Sequence, residues 1–212
     1  MQGLVLVDKP VGPSSFAVVK RLRSRYGVKA GHAGTLDPRA SGLLLVLLGP
    51  ATRLARYLVG LDKRYETAVD LSRTTSTGDR EGDVVEEHDA PSLLELEARL
   101  DALRGDVDLK IPAASAVKIG GERAYKLHRR GIALEMPTRR TTVYELELKD
   151  YEEPIARLSM RLSSGGYVRA VAEALGGHCV ELRRTTVGPF DVRDADPTRI
   201  LPPQSALSAL SQ

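Results

Sequence analysis

Tryptophan is absent from the 212 residues, phenylalanine occurs twice and cysteine once. A core made from a chain that is 42% hydrophobic must therefore be aliphatic. The lone Cys179 excludes an internal disulfide and any multi-thiolate metal site. Four scattered histidines, at 32, 88, 128 and 178, show no H-x-x-x-H spacing, so no metal is expected. No apolar run approaches the ~20 residues a membrane span requires. The start, MQGLVLVDKP, lacks a basic region followed by a cleavable apolar stretch. A reducing, cytoplasmic setting without membrane attachment fits these absences. Internal repeats and low-complexity tracts are missing too, and the length suits one domain with a small appendage.

What the chain does have is the stretch Gly31 to Leu48, GHAGTLDPRASGLLLVLL. It sets one carboxylate, Asp37, in a turn built from Gly31, Gly34, Pro38 and Gly42, ahead of an apolar run that reads as a fully buried strand. Glycine and proline supply the backbone angles such a loop needs. An Asp-Pro between glycines is also an ordinary turn starter. His32, Thr35 and Arg39 crowd round the acid, however, which argues against a merely solvated side chain.

Net charge is only +3, but it is segregated. Residues 20–39 hold six Lys/Arg against one acid, and residues 109–140 hold eight against two. Residues 79–101 hold nine acids against two Arg. Basic faces of this kind are the electrostatic footprint of a polyphosphate partner, although solvated faces look similar.

In chain order, Gly3–Val7 reads as a strand, and Ser14 and Ser15 are N-cap candidates for a helix to about Tyr26 that stops at Gly27. Ala51 to Val59 reads as a short helix. DKRYETAVDLS is an alternating strand with Tyr65, Thr67, Val69 and Leu71 on one face. TTSTGDREGDVVEE is a polar turn leading to an edge strand. Ser92 to Glu95 is a capping box opening a helix to about Leu103, with Leu93, Leu96, Leu100 and Leu103 as its buried stripe. Lys110 to Arg140 gives a strand, a Gly120-Gly121 hairpin and a short basic helix ending at Gly131, a shape suited to gripping an RNA backbone. Arg140–Leu148 and Ile155–Leu162 read as paired strands. Gly165-Gly166 turns into a helix ending at Gly176, and CVELRRTTVGPFDV adds a strand carrying Leu182, Arg183, Arg184 and Val187. A tail with a short helix, Pro203 to Leu210, follows. Many short strands with few helices predict an α+β domain on a mixed, mainly antiparallel sheet.

Several of these strings resemble one family. GHAGTLDPRASGLL is similar to the catalytic motif of the TruB-type pseudouridine synthases, which comprise bacterial tRNA pseudouridine-55 synthases and the guide-RNA-dependent Cbf5/dyskerin enzymes. LVDKPVGPSS, KRYETAV, RTTSTGDREG, IPAASAVKIGGERAYKL, Tyr167-Val168-Arg169 and LRRTTVGPF extend the likeness from Gly3 to about Val192. Two departures stand out, Thr75 where an Asp is usual and Ala114 where a Tyr is frequent.

The resemblance implies the pseudouridine synthase fold over 1–194, with a thumb-like insertion at about 109–140 and a short tail at 195–212. It makes Asp37 the catalytic aspartate, with Lys9 and Pro10 bracing its loop. By that resemblance Tyr65 stacks on the target base, Tyr167 lines the uracil pocket, Leu182 packs beside the base, and Arg169 pairs with the catalytic carboxylate. That last pairing also has a chemical reason. A nucleophilic carboxylate must stay ionised where water is excluded, and a guanidinium counters desolvation and orients it. His32 has two readings, filling the space left by a flipped base or hydrogen-bonding backbone. Lys118, Arg123, Lys126, Arg129 and Arg130 are candidate phosphate ligands. Many relatives continue into an RNA-binding PUA domain. About twenty residues after Val192 cannot make one, so the chain is expected to lack it or to be truncated.

The activity implied is isomerisation of uridine to pseudouridine, most closely that of the stand-alone enzymes acting at uridine 55 in the T-arm of tRNA. No cofactor is needed, because no redox change or external group is involved. A monomer without an obligate protein partner is expected. Whether Asp37 adds to the sugar, adds to C6 or takes a 2′ proton is left open. A guide-dependent synthase and a tRNA-folding chaperone stand as alternatives.

Overall fold

The computed structural model describes residues 1–208, and the chain divides into two compact units, 1–66 with 181–212, and 67–180. It passes from the first to the second along β4 (Lys63–Asp70) and returns along β12 (His178–Val187).

The first unit begins with β1 (Gly3–Lys9), α1 (Ser15–Tyr26), β2 (Ala30–His32) and β3 (Ser41–Leu48). Ser14 caps α1 by accepting the Ala17 N–H, and Gly27 ends it in the left-handed conformation with φ 64°. Ser15, the other cap candidate, is instead buried. Its Oγ accepts from the Leu36 N–H and donates to the Leu36 carbonyl, both at 2.8 Å, which ties the start of the helix to the Asp37 loop.

β3 pairs antiparallel with β1 and with β2, and parallel with β12, so the sheet is mixed. Every residue from Leu43 to Leu48 is fully buried, because both faces of the strand are covered. Leu43, Leu45 and Leu47 pack with Leu4, Leu6, Leu58 and Phe190. Leu44, Val46 and Leu48 pack with Val5, Val7 and the α1 residues Val18, Val19 and Leu22.

The expected helix over 51–59 is a 3-10 turn over Gly49–Leu54 followed by one α-turn, α2 (Ala55–Leu58). Pro50 at its start, after Gly49 at φ 59°, favours the tighter geometry there. β13 (Phe190–Asp191) pairs with β12.

In the second unit, β5 (Arg73–Thr75) and β6 (Val84–Glu87) form a two-stranded sheet. α3 (Leu93–Ala102) starts with the expected capping box at Ser92 and Glu95. Its buried stripe is shorter than the pattern predicts. Leu96 and Leu100 are buried, but Leu93, at the first helical position, is 51% exposed and belongs to the surface.

β7 (Gly105–Lys110) pairs with β10 (Thr138–Glu152), which pairs in turn with β11 (Ile155–Leu162), all antiparallel. Ala156, Leu158, Met160 and Leu162 alternate inward as their spacing predicts. Between β7 and β10 lie the hairpin of β8 (Lys118–Ile119) and β9 (Glu122–Arg123) and the basic helix α4 (Ala124–Arg129). They close on a small core of Ile111, Ala124 and Met136, against which Tyr167 packs. α5 (Val168–Ala174) follows β11.

α6 (Pro203–Ser208) belongs to the first unit, and Ala209 and Leu210, the end of that predicted helix, lie outside the described residues. Among the described residues no helix is long and apolar enough to cross a membrane.

Gly42 tests how tightly the first unit is built. Its φ is 105°, and a Cβ there would lie 2.1 Å from the Arg184 carbonyl oxygen. Gly42→Ala combines a left-handed backbone cost with a clash against backbone that cannot move aside, so a loss of roughly 3 kcal/mol or more is expected. A urea-unfolding midpoint within error of wild type would show that β3 and β12 do not approach as described.

Candidate active site

Strand register places the charged groups of the first unit. Lys9 of β1 and Arg184 of β12 are both opposite Gly42 of β3. Paired residues on neighbouring strands face the same way, so two cations flank a position that has no side chain. Lys9 is 0% exposed and Arg184 1% exposed.

Lys9 donates to the carbonyls of Pro10, Pro13 and Pro38, at 2.9, 3.0 and 3.4 Å. One ammonium thereby knots the Lys-Pro turn to the loop bearing Asp37. Burial lowers the Lys9 pKa, the Asp37 charge opposes that shift, and Arg184 adds to it. Pro10 is exposed at the rim of the knot.

Arg184 fans its donors over the same loop. Nε binds the Leu43 carbonyl at 2.8 Å, Nη1 that of Thr35 at 3.3 Å and Nη2 that of Gly34 at 3.2 Å. Its charge also interacts with Tyr65 and with Asp37. Tyr65, 8% exposed, has its phenol pKa raised by burial, while the Arg184 charge opposes the rise. Asp37 is half-buried, and its carbonyl closes a turn with the Ala40 N–H at 3.1 Å. Acid, phenol and guanidinium therefore form one electrostatic group.

His32 lies on β2 with its pKa lowered by burial and by Arg184, so the ring is neutral near pH 7. Its Nδ1 is buried without a hydrogen-bond partner, so that nitrogen does not make the backbone bond of the second reading. Leu182 is half-buried against the core under α1. Arg183 turns the opposite way from Arg184 and makes a two-pronged contact with Asp8, at 3.0 and 2.7 Å.

The remaining candidates belong to the second unit. Arg169 is buried, donating to the carbonyls of Thr77 at 2.8 Å and Ala114 at 3.0 Å, with Asp79 at 3.5 Å. Tyr167 precedes α5 and lies under the Arg139 guanidinium, 5.9 Å from its ring centre. Lys118, Arg123, Lys126, Arg129 and Arg130 are all exposed. Arg123 reaches the Ala116 carbonyl, Arg129 sits over Tyr125, and Arg130 pairs with Glu122 at 2.9 Å. No cluster of three or more His, Cys, Asp or Glu able to hold a metal occurs among the described residues.

Residues 20–168, well over half of the chain, match the model of the TruB family pseudouridylate synthase N-terminal domain. The chain belongs to the TruB family. It is 42% identical over 210 residues to tRNA pseudouridine synthase B of Geobacillus kaustophilus, covering 92% of this chain and 74% of that protein. It is 41% identical over 219 residues to the protein of the same name from Mycobacterium sp. strain KMS, covering 97% and 74%. Among solved structures, a Cbf5-Nop10-Gar1 complex matches with a TM-score of 0.69 and 28% identity, over 89% of this chain and 50% of that one. The chain thus spans half the length of that structure's chain. The TruB likeness read from the Asp37 loop and the α+β pseudouridine synthase fold are both borne out.

Sequence reading left Arg184 and Lys63 without a role. A signal for Arg184 was present: consecutive arginines on a strand point to opposite faces, so a strand with one face against the core buries one of them. Lys63 is 6% exposed, donates to the Val59 carbonyl at 2.8 Å and reaches that of Leu61. Burial and Arg184 lower its pKa to about 8, while Asp62 opposes the shift.

That value sets a test of stability. The unfolded chain holds the Lys63 proton up to about pH 10.5 and the folded chain only to about 8. The unfolded state therefore binds more protons across that window, and stability rises with pH. Relative to Lys63→Met, the wild type should gain roughly 3 kcal/mol between pH 8 and 10.5, at 1.36 kcal/mol per unit. Urea unfolding of the two proteins at several pH values measures it, and parallel curves would mean that Lys63 is not held in a depressed state.

Proposed function

We propose that this chain converts uridine to pseudouridine in tRNA, at position 55 of the T-arm, with Asp37 as nucleophile or base. The observation that carries the reading is the arrangement around Asp37. One acid sits in a loop tied from beneath by two buried cations, with a buried tyrosine in the electrostatic reach of one of them. The loop is held by its backbone carbonyls, and the carboxylate it carries is half-buried at the site.

The chemistry asks little more of the protein. The N1–C1′ bond breaks, the uracil turns while held, and a C5–C1′ bond forms. C5 then loses its proton and N1 carries one, so atoms and electrons balance without a co-reactant. Tyr65 suits stacking on an extruded base and proton handling near C5. Tyr167 and Arg169 are proposed as substrate-binding residues from the family likeness, Leu182 as packing beside the base, and His32 as filling the gap the base leaves.

The exposed cations of the hairpin and α4 supply a surface for the RNA backbone. The substrate is proposed to be a T-arm stem-loop, met by a cytoplasmic monomer that needs no protein partner. The guide-dependent reading has one observation in its favour, the likeness to Cbf5. Turnover of a bare T-arm stem-loop by the purified chain separates the two.

Asp37→Asn should abolish pseudouridine formation, mapped by carbodiimide chemistry on unmodified tRNA, while the Kd for the stem-loop changes by less than about threefold. Equal turnover by the variant would remove Asp37 from the chemistry, and unchanged cellular tRNA folding alongside would favour a chaperone. Lys126→Glu combined with Arg129→Glu should weaken binding across RNA sequences and lower the slope of log Kd against log salt by about 0.7–0.9 per lost phosphate contact. An unchanged slope would place the RNA elsewhere.

A further inference from the structure

We propose that α1 and the turn before it form an RNA-binding surface of the first unit, separate from the cationic hairpin. The ring of Phe16 is its stacking platform, taking an unpaired base near the target uridine, and the exposed cations of α1 take the phosphates. The nature of the RNA rests on the function proposed above.

The first observation is an aromatic ring left outside the core. The chain has two phenylalanines. Phe190 is 8% exposed and packs in the core, whereas Phe16 is 68% exposed. Val11, five residues earlier, is 56% exposed. α1 already buries Val18, Val19 and Leu22, and Phe16 stands outside that stripe. One exposed apolar side chain is ordinary on a protein surface. What distinguishes these two is the place to which they are fixed.

Both are tied to the Asp37 loop. Ser15, next to Phe16, exchanges two hydrogen bonds of 2.8 Å with Leu36, the residue before Asp37. Val11 lies between Pro10 and Pro13, whose carbonyls Lys9 holds together with that of Pro38, the residue after Asp37. The Gly12 N–H also donates to the Pro38 carbonyl at 2.8 Å. Each chain neighbour of the acid is thus clamped to the segment that presents Val11 and Phe16. A ring held in this way loses little freedom when a base stacks on it.

The third observation is charge. The twelve residues of α1 include Lys20, Arg21, Arg23 and Arg25 and no acid, and all four cations are exposed. Lys20 and Arg23 follow Phe16 at i+4 and i+7 on one side of the helix, roughly 6 and 10 Å along its axis. An aromatic platform leading into a row of cations suits single-stranded RNA, since every base has a face to stack and the phosphates follow the positive charge. A membrane surface would need the apolar face of the helix, and that face is buried in the core.

The absence of tryptophan supplies the test, because Phe16→Trp introduces a single fluorophore at the platform. Its emission should be quenched as unmodified T-arm stem-loop is added, whereas a blunt duplex of the same stem, with no unpaired base, should leave it unchanged. Phe16→Ala should raise the stem-loop Kd by about fivefold or more, with the urea-unfolding midpoint unchanged, and Phe16→Trp should keep the wild-type Kd. Lys20→Ala combined with Arg23→Ala should lower the slope of log Kd against log salt by about 0.7 per lost phosphate contact.

Binding of the stem-loop without quenching overturns the proposal, as does equal quenching by the duplex. A Phe16→Ala Kd within error of wild type overturns it as well, and so does an unchanged salt slope. If the stem-loop quenches the fluorophore while wild-type protein makes no pseudouridine, the catalytic reading fails and the RNA surface stands. Pseudouridine formed without quenching leaves the catalytic reading in place and removes the surface.

Discussion

A guanidinium with almost no solvent access must find acceptors for its N–H groups within the protein, and that requirement shapes the first unit around Arg184. Three backbone carbonyls, at Gly34, Thr35 and Leu43, are turned toward it. Carbonyls can point inward at that density only where the chain leaves regular structure. Two glycines of this segment, Gly34 and Gly42, have φ of 98° and 105°. The glycines of the Asp37 loop thus serve the buried cation as much as the turn. The same bonds set the height and direction of the segment that presents Asp37.

The scaffold around this polar knot is purely aliphatic. Six consecutive residues of β3 are fully buried, three on each side of the sheet. At roughly 1.5–3 kcal/mol for each fully buried aliphatic side chain, the strand stabilises its surroundings by an amount comparable to the desolvation of Lys9 and Arg184. A buried cation is tolerable where its donors are saturated by carbonyls and a carboxylate and phenol lie beside it. Ser15 makes a neutral version of the same bargain, giving and receiving one hydrogen bond with Leu36. Helix α1, the Lys-Pro turn and β12 are therefore all anchored to the loop between Ala33 and Gly42.

Elements whose character is local were legible in the sequence. The apolar run of β3, the cap at Ser14, the stop at Gly27, the capping box at Ser92 and the two-glycine hairpin each announce themselves through near neighbours in the chain. Leu93 was misread because helical periodicity gives the face but not where along the helix the packing begins. The 3-10 turn at Gly49 was misread because apolar spacing over nine residues cannot distinguish 3.0 from 3.6 residues per turn. In the candidate site, Asp37 and Tyr65 stood out through motif and chemistry. Arg184 did not, because its importance depends on which strands lie beside β12, a relation of long sequence separation. The likeness assigned the charge partner of Asp37 to Arg169. Within the first unit the charge of Asp37 acts on Arg184 and Lys9, two residues far from it in the chain or outside its motif.

Two populations of cations follow from this organisation, and salt separates their effects. Lys9, Lys63 and Arg184 are buried, with donors fixed on carbonyls, and the surrounding electrolyte screens them little. Lys118, Arg123, Lys126, Arg129 and Arg130 are exposed on a short hairpin and helix, where ionic strength acts directly. Under the proposed function, binding of a polyanion is governed by the second population and falls as salt rises, whereas the alignment of Asp37 and Tyr65 is governed by the first and does not. On that proposal, a modified RNA leaves by the loosening of surface contacts without disturbing the geometry needed for the next turnover. That separation is possible only because the charges that organise the loop were taken out of water.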